Sequence, residues 1–179
     1  MSVQPRSISI HDVATPLLLV HSELFGPKTL RALLDLCKVQ VRDEQEEERA
    51  SLEWMYFGLF VFVEGIQDNF PHSLNVGIGV AIAREFLSQF EFHLANAAPN
   101  LANLEREIER RIRHYETAKA GGFEKVGFDV ATSVLGLQVQ PGNVPEGFEA
   151  YEVSIGANKA RVAGLKAVND FFRNHKIQT

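Results

Sequence analysis

Residues 54–63 read WMYFGLFVFV, an apolar run without a polar face that is followed at once by Glu64. Such a segment has to be covered on every side by other protein or by lipid, because any face it exposed would be apolar. The run is about half as long as the roughly 20 residues that a membrane-spanning helix needs. It therefore predicts the centre of a helical bundle and no membrane span.

The composition is that of an ordinary soluble domain. Of the 179 residues, 45% are hydrophobic and 23% are charged, which is enough for one domain with a real core. The formal net charge of -5 opposes a general role on phosphate backbones, so no nucleic-acid partner is expected. Because Cys37 is the single cysteine and residues 1–10 lack the apolar core of a signal peptide, we expect a cytoplasmic protein.

A helix is predicted to begin near Pro27, which suits a first helical position because its missing N–H would have no partner there. Apolar residues then recur at spacings of three and four, at Leu30, Leu33, Leu34, Cys37 and Val41. Neither glycine nor proline occurs between residues 28 and 57. One long helix over 28–66 and two helices meeting at an angle therefore both remain open.

The charged stretch 42–53 is predicted to be a solvated helix surface. Opposite charges four residues apart support a helix there. The pairs are Arg42 with Glu46 and Arg49 with Glu53. Later segments carry the same helical spacing and predict helices over 74–97, from 101 to just before Gly121, over 123–135 and over 157–174.

The predicted fold class is mainly α, a single-domain bundle of about five to six helices. Its parts are an N-terminal arm (1–22), core helices (27–135), an irregular connection (136–147) and a C-terminal helix (157–174). Short β-like pieces within 7–20 and weak alternation over 148–155 allow a small two- or three-stranded β element, with α+β as the alternative class. A turn near Pro71 would place Gly65 opposite Gly77 at a close crossing of two helices.

The sequence contains none of the usual catalytic, phosphate-binding or metal-binding motifs. No catalytic residue, metal ligand or cofactor is therefore predicted. Glu64 ends the apolar run, so it either reaches water at a helix end or is buried and needs a partner. His93, beside Phe86 and Phe90, is a second candidate polar anchor for a ligand.

Further candidates come from the predicted positions of residues on the helices before and after Pro99. If the helices on either side of Pro99 form a hairpin, Glu85 becomes level with His114, as an exposed ion pair or as a catalytic dyad. Phe92 lies on the polar side of its helix, with Glu85 and Gln89. An aromatic side chain there suggests a partner or a contact with the N-terminal arm.

Three functions follow from these residues. The leading hypothesis is a non-enzymatic helical protein-interaction domain that binds a protein partner or a second copy of itself. The alternative is a binding protein for a small apolar ligand, held among the phenylalanines of the second and third helices with Glu64 or His93 as its anchor. An enzyme that uses Glu85 and His114 comes third.

Overall fold

The computed structural model describes residues 6–71, 76–97, 103–137 and 148–178. These residues form β1 (Arg6–Ser9), α1 (Ile10–Phe25), α2 (Pro27–Leu36), α3 (Glu44–Asn69), α4 (Val76–Ala97), α5 (Leu104–Ala120), α6 (Phe123–Leu135), α7 (Phe148–Asn174) and β2 (His175–Gln178). The prediction of a mainly α bundle with a small β element is confirmed. Most of the predicted connection 136–147 lies outside the described residues.

The apolar run lies in α3, which is the central helix. Apart from Met55, every residue from 54 to 66 is buried. The other elements that contact α3 are helices from both halves of the chain: α1, α2, α4, α5, α6 and α7. Because the run has no polar face, the fold covers it from all directions with protein.

The N-terminal arm is mostly helical, which the short β-like pieces at 7–20 did not predict. The backbone N–H of Asp12 donates to Oγ of Ser9, which caps the first turn of α1. The buried face of α1 recurs every three or four residues, at Val13, Ala14, Leu17, His21 and Phe25. Pro16 lies inside α1 and interrupts the sequence signal, because proline in a helix interior normally marks a break.

The segment 28–66 contains two helices. Lys38 adopts a left-handed conformation with φ of 58°, which ends the path of α2. Asp43 then caps α3 by accepting from the backbone N–H of Glu46 at 2.8 Å, and Glu46 accepts from the backbone N–H of Arg42 at 2.8 Å. The break is therefore made by capping side chains and a single left-handed residue.

The second β-strand differs from the prediction. Residues 148–155 begin α7, where buried Ala150, Val153 and Ala157 follow helical spacing. The partner of β1 is instead β2, which pairs with it in parallel, Arg6 opposite His175 and Ser9 opposite Gln178. The weak alternation over 148–155 was too short to outweigh the helical period that continues to Asn174.

The predicted crossing of Gly65 and Gly77 is wrong. Gly65 lies against Val168 of α7, whose Cβ would be 3.0 Å from a methyl group placed on Gly65, whereas Gly77 has nothing within 4 Å of that position. Gly58 lies against Phe25 and His21 of α1. The glycines of α3 thus allow α7 and α1 to pack closely against it. Gly77 of α4 makes no such close contact with α3.

Gly58→Ala should destabilise the fold by about 1–3 kcal/mol, because its methyl group would overlap the Phe25 ring and lie 2.7 Å from His21 Nε2. The matched control is Gly77→Ala, which adds the same methyl group to a helix in open space and should be neutral or slightly stabilising. Urea unfolding of both variants measures the difference. Equal stability of the two variants would contradict the close approach of α1 to α3.

Candidate functional site

Glu64 is buried and paired, so the solvated helix end is the wrong alternative for it. Glu64 is only 6% exposed. Arg161 of α7, which is also buried, donates to the Glu64 carboxylate through Nε at 3.0 Å and through Nη2 at 2.5 Å. Lys119 of α5 completes the cluster with Nζ 2.8 Å from Oε1. The carboxylate therefore joins α3, α5 and α7.

The charge of Glu64 is fixed by these partners. Burial by itself would raise the pKa of the carboxyl, but the hydrogen bonds and charges of Arg161 and Lys119 outweigh it and hold the pKa below its ordinary value. A cavity of about 80 Å³ beside Glu64 and Lys119 has room for water but not for an organic ligand. The arrangement is that of a structural ion cluster.

A second charged cluster joins α3 to α5. Glu53 is buried, contrary to the prediction that the whole stretch 42–53 is solvated, and it forms an ion pair with Arg111. Arg111 also donates through Nε to Glu107, four residues earlier on α5, at 2.9 Å. Arg110 binds the same carboxylate of Glu107 at 2.9 Å and 2.6 Å.

The pKa values of the two carboxyls in this cluster shift in opposite directions. Hydrogen bonds from Arg110 and Arg111 are the main reason that the pKa of Glu107 falls to about 2. Burial raises the pKa of Glu53, and the charge of Arg111 offsets the effect only in part. Oε2 of Glu53 is buried without a hydrogen-bond partner among the described residues.

Beside this cluster lies a groove of about 510 Å³ between α3 and the beginning of α5. We call it the α3–α5 groove. Its lining combines apolar and charged side chains: Arg49, Leu52, Glu53, Tyr56, Asn103, Leu104, Arg106, Glu107, Arg110 and Arg111. Arg49 does not pair with Glu53 as predicted, because its guanidinium donates to the backbone carbonyls of Ser133 and Val134 at the end of α6.

The structure does not bring Glu85 and His114 together. Glu85 accepts from Gln89 Nε2 at 3.0 Å and lies 3.8 Å from His11 of α1. His114 instead lies 3.8 Å from Asp129 of α6. The predicted alignment of Glu85 with His114 assumed that α4 and α5 form a close hairpin. In the structure a groove of about 600 Å³ lies between these two helices.

Phe92 and His93 both lie on the surface of α4. Phe92 is 66% exposed, and its ring contacts the His93 ring, with centroids 5.9 Å apart. The N-terminal arm does pack beside α4, but it leaves Phe92 uncovered. His93 is exposed and does not face the phenylalanine core, so it does not form the predicted anchor there.

The core among the phenylalanines is filled by a histidine that sequence reasoning missed. The ring of His21 lies against Phe62, Phe86 and Phe90 at centroid distances of 5.4–6.1 Å, and Phe62 stacks on Phe86 at 5.6 Å. Its Nε2 donates to the carbonyl of Met55 at 3.1 Å. The predicted second and third helices correspond to α3 and α4. The space predicted there for an apolar ligand is therefore occupied by α1 side chains.

Among residues 6–71, 76–97, 103–137 and 148–178, no group of three potential metal-ligating side chains lies together. Within the same ranges, none of the helices combines the length and the apolar character that crossing a membrane requires. Comparison of the chain with known protein families, with curated proteins and with solved structures found no match.

Arg161→Leu should destabilise the fold by about 3–5 kcal/mol, because it leaves the buried Glu64 carboxylate with Lys119 alone. Arg173→Leu is the control, since it removes an exposed arginine from the same helix. The double variant Glu64→Met/Arg161→Leu should recover part of the loss, because no charge then remains buried. If Arg161→Leu unfolds in urea like wild type, Glu64 is not held in this way.

The structure also predicts how stability depends on pH. Burial lowers the pKa of His21 from 6.5 to about 4, so between these values the unfolded chain takes up a proton that the folded chain does not. Stability should therefore fall by about 2 kcal/mol as pH drops from about 7.5 to 5.

The test of this pH dependence is His21→Gln, which should remove the greater part of the slope in urea unfolding. His114→Gln should remove less, because the side chain of His114 is 46% exposed, although burial of the remainder lowers its pKa as well. An unchanged slope in His21→Gln would show that His21 is not the group that titrates.

Proposed function

We propose that this protein is a non-enzymatic helical interaction domain that self-associates through one face formed by α1 and α4. We call this the α1–α4 face and define it by Leu19 and Phe92, which are 62% and 66% exposed. Large apolar side chains so exposed on two contacting helices favour a partner, because covering them removes apolar area from water.

Leu19 and Phe92 belong to two helices that contact each other over several turns. His11 contacts Glu85, and four residues later Thr15 Oγ1 donates to Gln89 Oε1 at 3.2 Å. Further along α1, the ring of His21 lies against Phe86 and Phe90, so α1 stays packed on the middle of α4. Leu19 and Phe92 are exposed on this pair of helices.

The surroundings of the α1–α4 face favour a second copy over a charged partner. A twofold contact places each residue near its own counterpart, so unbalanced charge at its centre would repel. The exposed residues one turn from Leu19 and Phe92 include a single charged side chain, Glu23; the others are Thr15, Ser22, Ser88, Ala95 and Asn96. Two copies therefore bring few like charges together at this face, although the whole chain has a net charge of -5.

Three other exposed apolar side chains, Leu36, Tyr151 and Val162, have charges of both signs nearby. Leu36 is the last residue of α2 and is 81% exposed. The charged residues Asp35 and Lys38 lie beside it in the sequence. Tyr151 and Val162 border a groove that also contains Glu124 and Lys159. The enzyme alternative loses its geometric basis, since Glu85 and His114 have different partners.

Phe92→Asp should convert a self-associating protein to a monomer at tens of micromolar. Burying a carboxylate at the centre of a contact is unfavourable, and loss of a central aromatic typically weakens binding by about 2 kcal/mol, roughly 30-fold. Leu19→Asp should act in the same direction. Sedimentation velocity over a concentration series measures the change.

The matched control is Leu36→Asp, which places the same charge on an exposed leucine of α2 and should leave association intact. A wild-type protein that sediments as a monomer throughout the series would exclude self-association. Association that survives in Phe92→Asp and Leu19→Asp would move the contact to another surface.

A further inference from the structure

The groove of about 600 Å³ between α4 and α5 has α3 as its floor. We call it the α4–α5 groove. One wall runs from Val80 to Glu91 on α4, and the other runs from Glu105 to Glu116 on α5. Each wall spans eleven residues, which is about 16 Å, or three turns, at a rise of 1.5 Å per residue. The groove therefore has the length of a three-turn helix.

The centre of the groove is apolar and reaches water. Val80 is 46% exposed, and Leu87 and Ile112 are half-buried. Buried side chains continue the apolar surface below them: Val63, Ala83 and Ile108. Within the described ranges, the lining comes from α3, α4 and α5 only. An apolar strip between two helices is the kind of surface onto which an amphipathic helix lays its own apolar face.

The edges of the groove carry an excess of negative charge. Its charged lining residues are four glutamates and two arginines: Glu91, Glu105, Glu109, Glu116, Arg84 and Arg113. Arg113 is already used within the edge, since its Nη2 lies 3.3 Å from Oε2 of Glu109. Glu91, Glu105 and Glu116 have no ion-pair partner in the part of the chain that the structure describes. These three carboxylates favour a partner that brings basic side chains to the edges.

The other charges of α5 do not cancel this negative edge. Three arginines of the same helix line the α3–α5 groove instead: Arg106, Arg110 and Arg111. Two of them, Arg110 and Arg111, donate there to Glu107. A second copy of the chain is a poor occupant of the α4–α5 groove, because a twofold contact would bring two acidic edges together.

We propose that the α4–α5 groove binds an amphipathic, basic helix of a protein partner. The apolar stripe of that helix, with residues at spacings of three and four, covers Val80, Leu87 and Ile112. Lysines or arginines on its two flanks meet the glutamates at the edges. The groove is separate from the α1–α4 face, because neither Leu19 nor Phe92 lines it, so this proposal does not rest on self-association.

Fluorescence anisotropy with labelled synthetic peptides tests this class of partner. The probe is a peptide of about 15 residues with leucines at helical spacing and lysines on both sides of the leucine stripe. It should bind with saturation, and at least about tenfold more tightly than a scrambled peptide or one with glutamates in place of the lysines. Equal binding of the scrambled peptide would overturn helix recognition, and equal binding of the glutamate peptide would overturn the charge match. No saturable binding of the lysine peptide would overturn the site itself.

Val80→Lys should weaken binding of the lysine peptide by about tenfold or more, because it places an ammonium group in the apolar centre opposite a basic peptide. The matched control is Val76→Lys. Val76 belongs to the same helix and is 45% exposed, but it does not line the groove. Equal affinities in the two variants would place the peptide elsewhere.

A charge variant tests the edges without changing the apolar centre. Glu105→Gln/Glu116→Gln should weaken peptide binding by about threefold, as expected for exposed ion pairs. Glu44→Gln/Glu48→Gln is the control, since it removes two exposed charges at the beginning of α3 and so changes the net charge equally. Equal affinities in these two double variants would show that only the overall charge attracts the peptide.

Two measurements separate this site from the other possible occupants. Phe92→Asp should bind the lysine peptide no more weakly than wild type, because Phe92 does not line the groove. Loss of peptide binding in that variant would place the peptide on the α1–α4 face. Sedimentation of Val80→Lys without peptide should match wild type, and a change in its association would assign the groove to a second copy.

Discussion

The central constraint of this fold is that α3 has no side that can face water over residues 54–66. Every other helix is placed so as to cover part of that surface, and the two ends of the chain both contribute. Burial of large side chains supplies the main favourable free energy, since each fully buried phenylalanine or leucine contributes about 1.5–3 kcal/mol. Aromatic rings in edge and stacked contacts then fix how α1, α4 and α5 approach.

The two buried carboxylates bracket the apolar run. Glu53 precedes Trp54 and pairs with Arg111 of α5, and Glu64 follows Val63 and pairs with Arg161 of α7. Apolar packing alone tolerates small slips along a helix axis, whereas a buried charge is costly away from its partner. The two ion pairs, eleven residues apart on one helix, therefore fix the position of α3 along its axis.

Sequence reasoning was most successful where the signal was local and periodic. The helical character of α2 to α7 follows from apolar spacing, and the central position of α3 follows from a run without a polar face. The arm 1–22 was harder, because Pro16 breaks the pattern of a helix whose start is capped by Ser9.

Contacts between distant helices were out of reach of local patterns. Glu85 and His114 were matched by assuming that consecutive helices form a close hairpin, and no partner could be named for Glu64. In the structure Glu64 meets Arg161 from far along the chain, and α5 contacts α3 and α6 more closely than α4. His21 was missed because a buried histidine has no sequence signature beyond its place on an apolar face. The α3–α5 groove was missed because it forms between two helices that are far apart in sequence.

The short parallel sheet gives the molecule a mechanical property. Because β1 and β2 run in the same direction with Arg6 opposite His175, a force that pulls residues 6 and 178 apart loads the strand pairing in shear. All of its hydrogen bonds resist together, and none can open singly as in a zipper. The strand pairing therefore carries tension applied at residues 6 and 178 before the helices do.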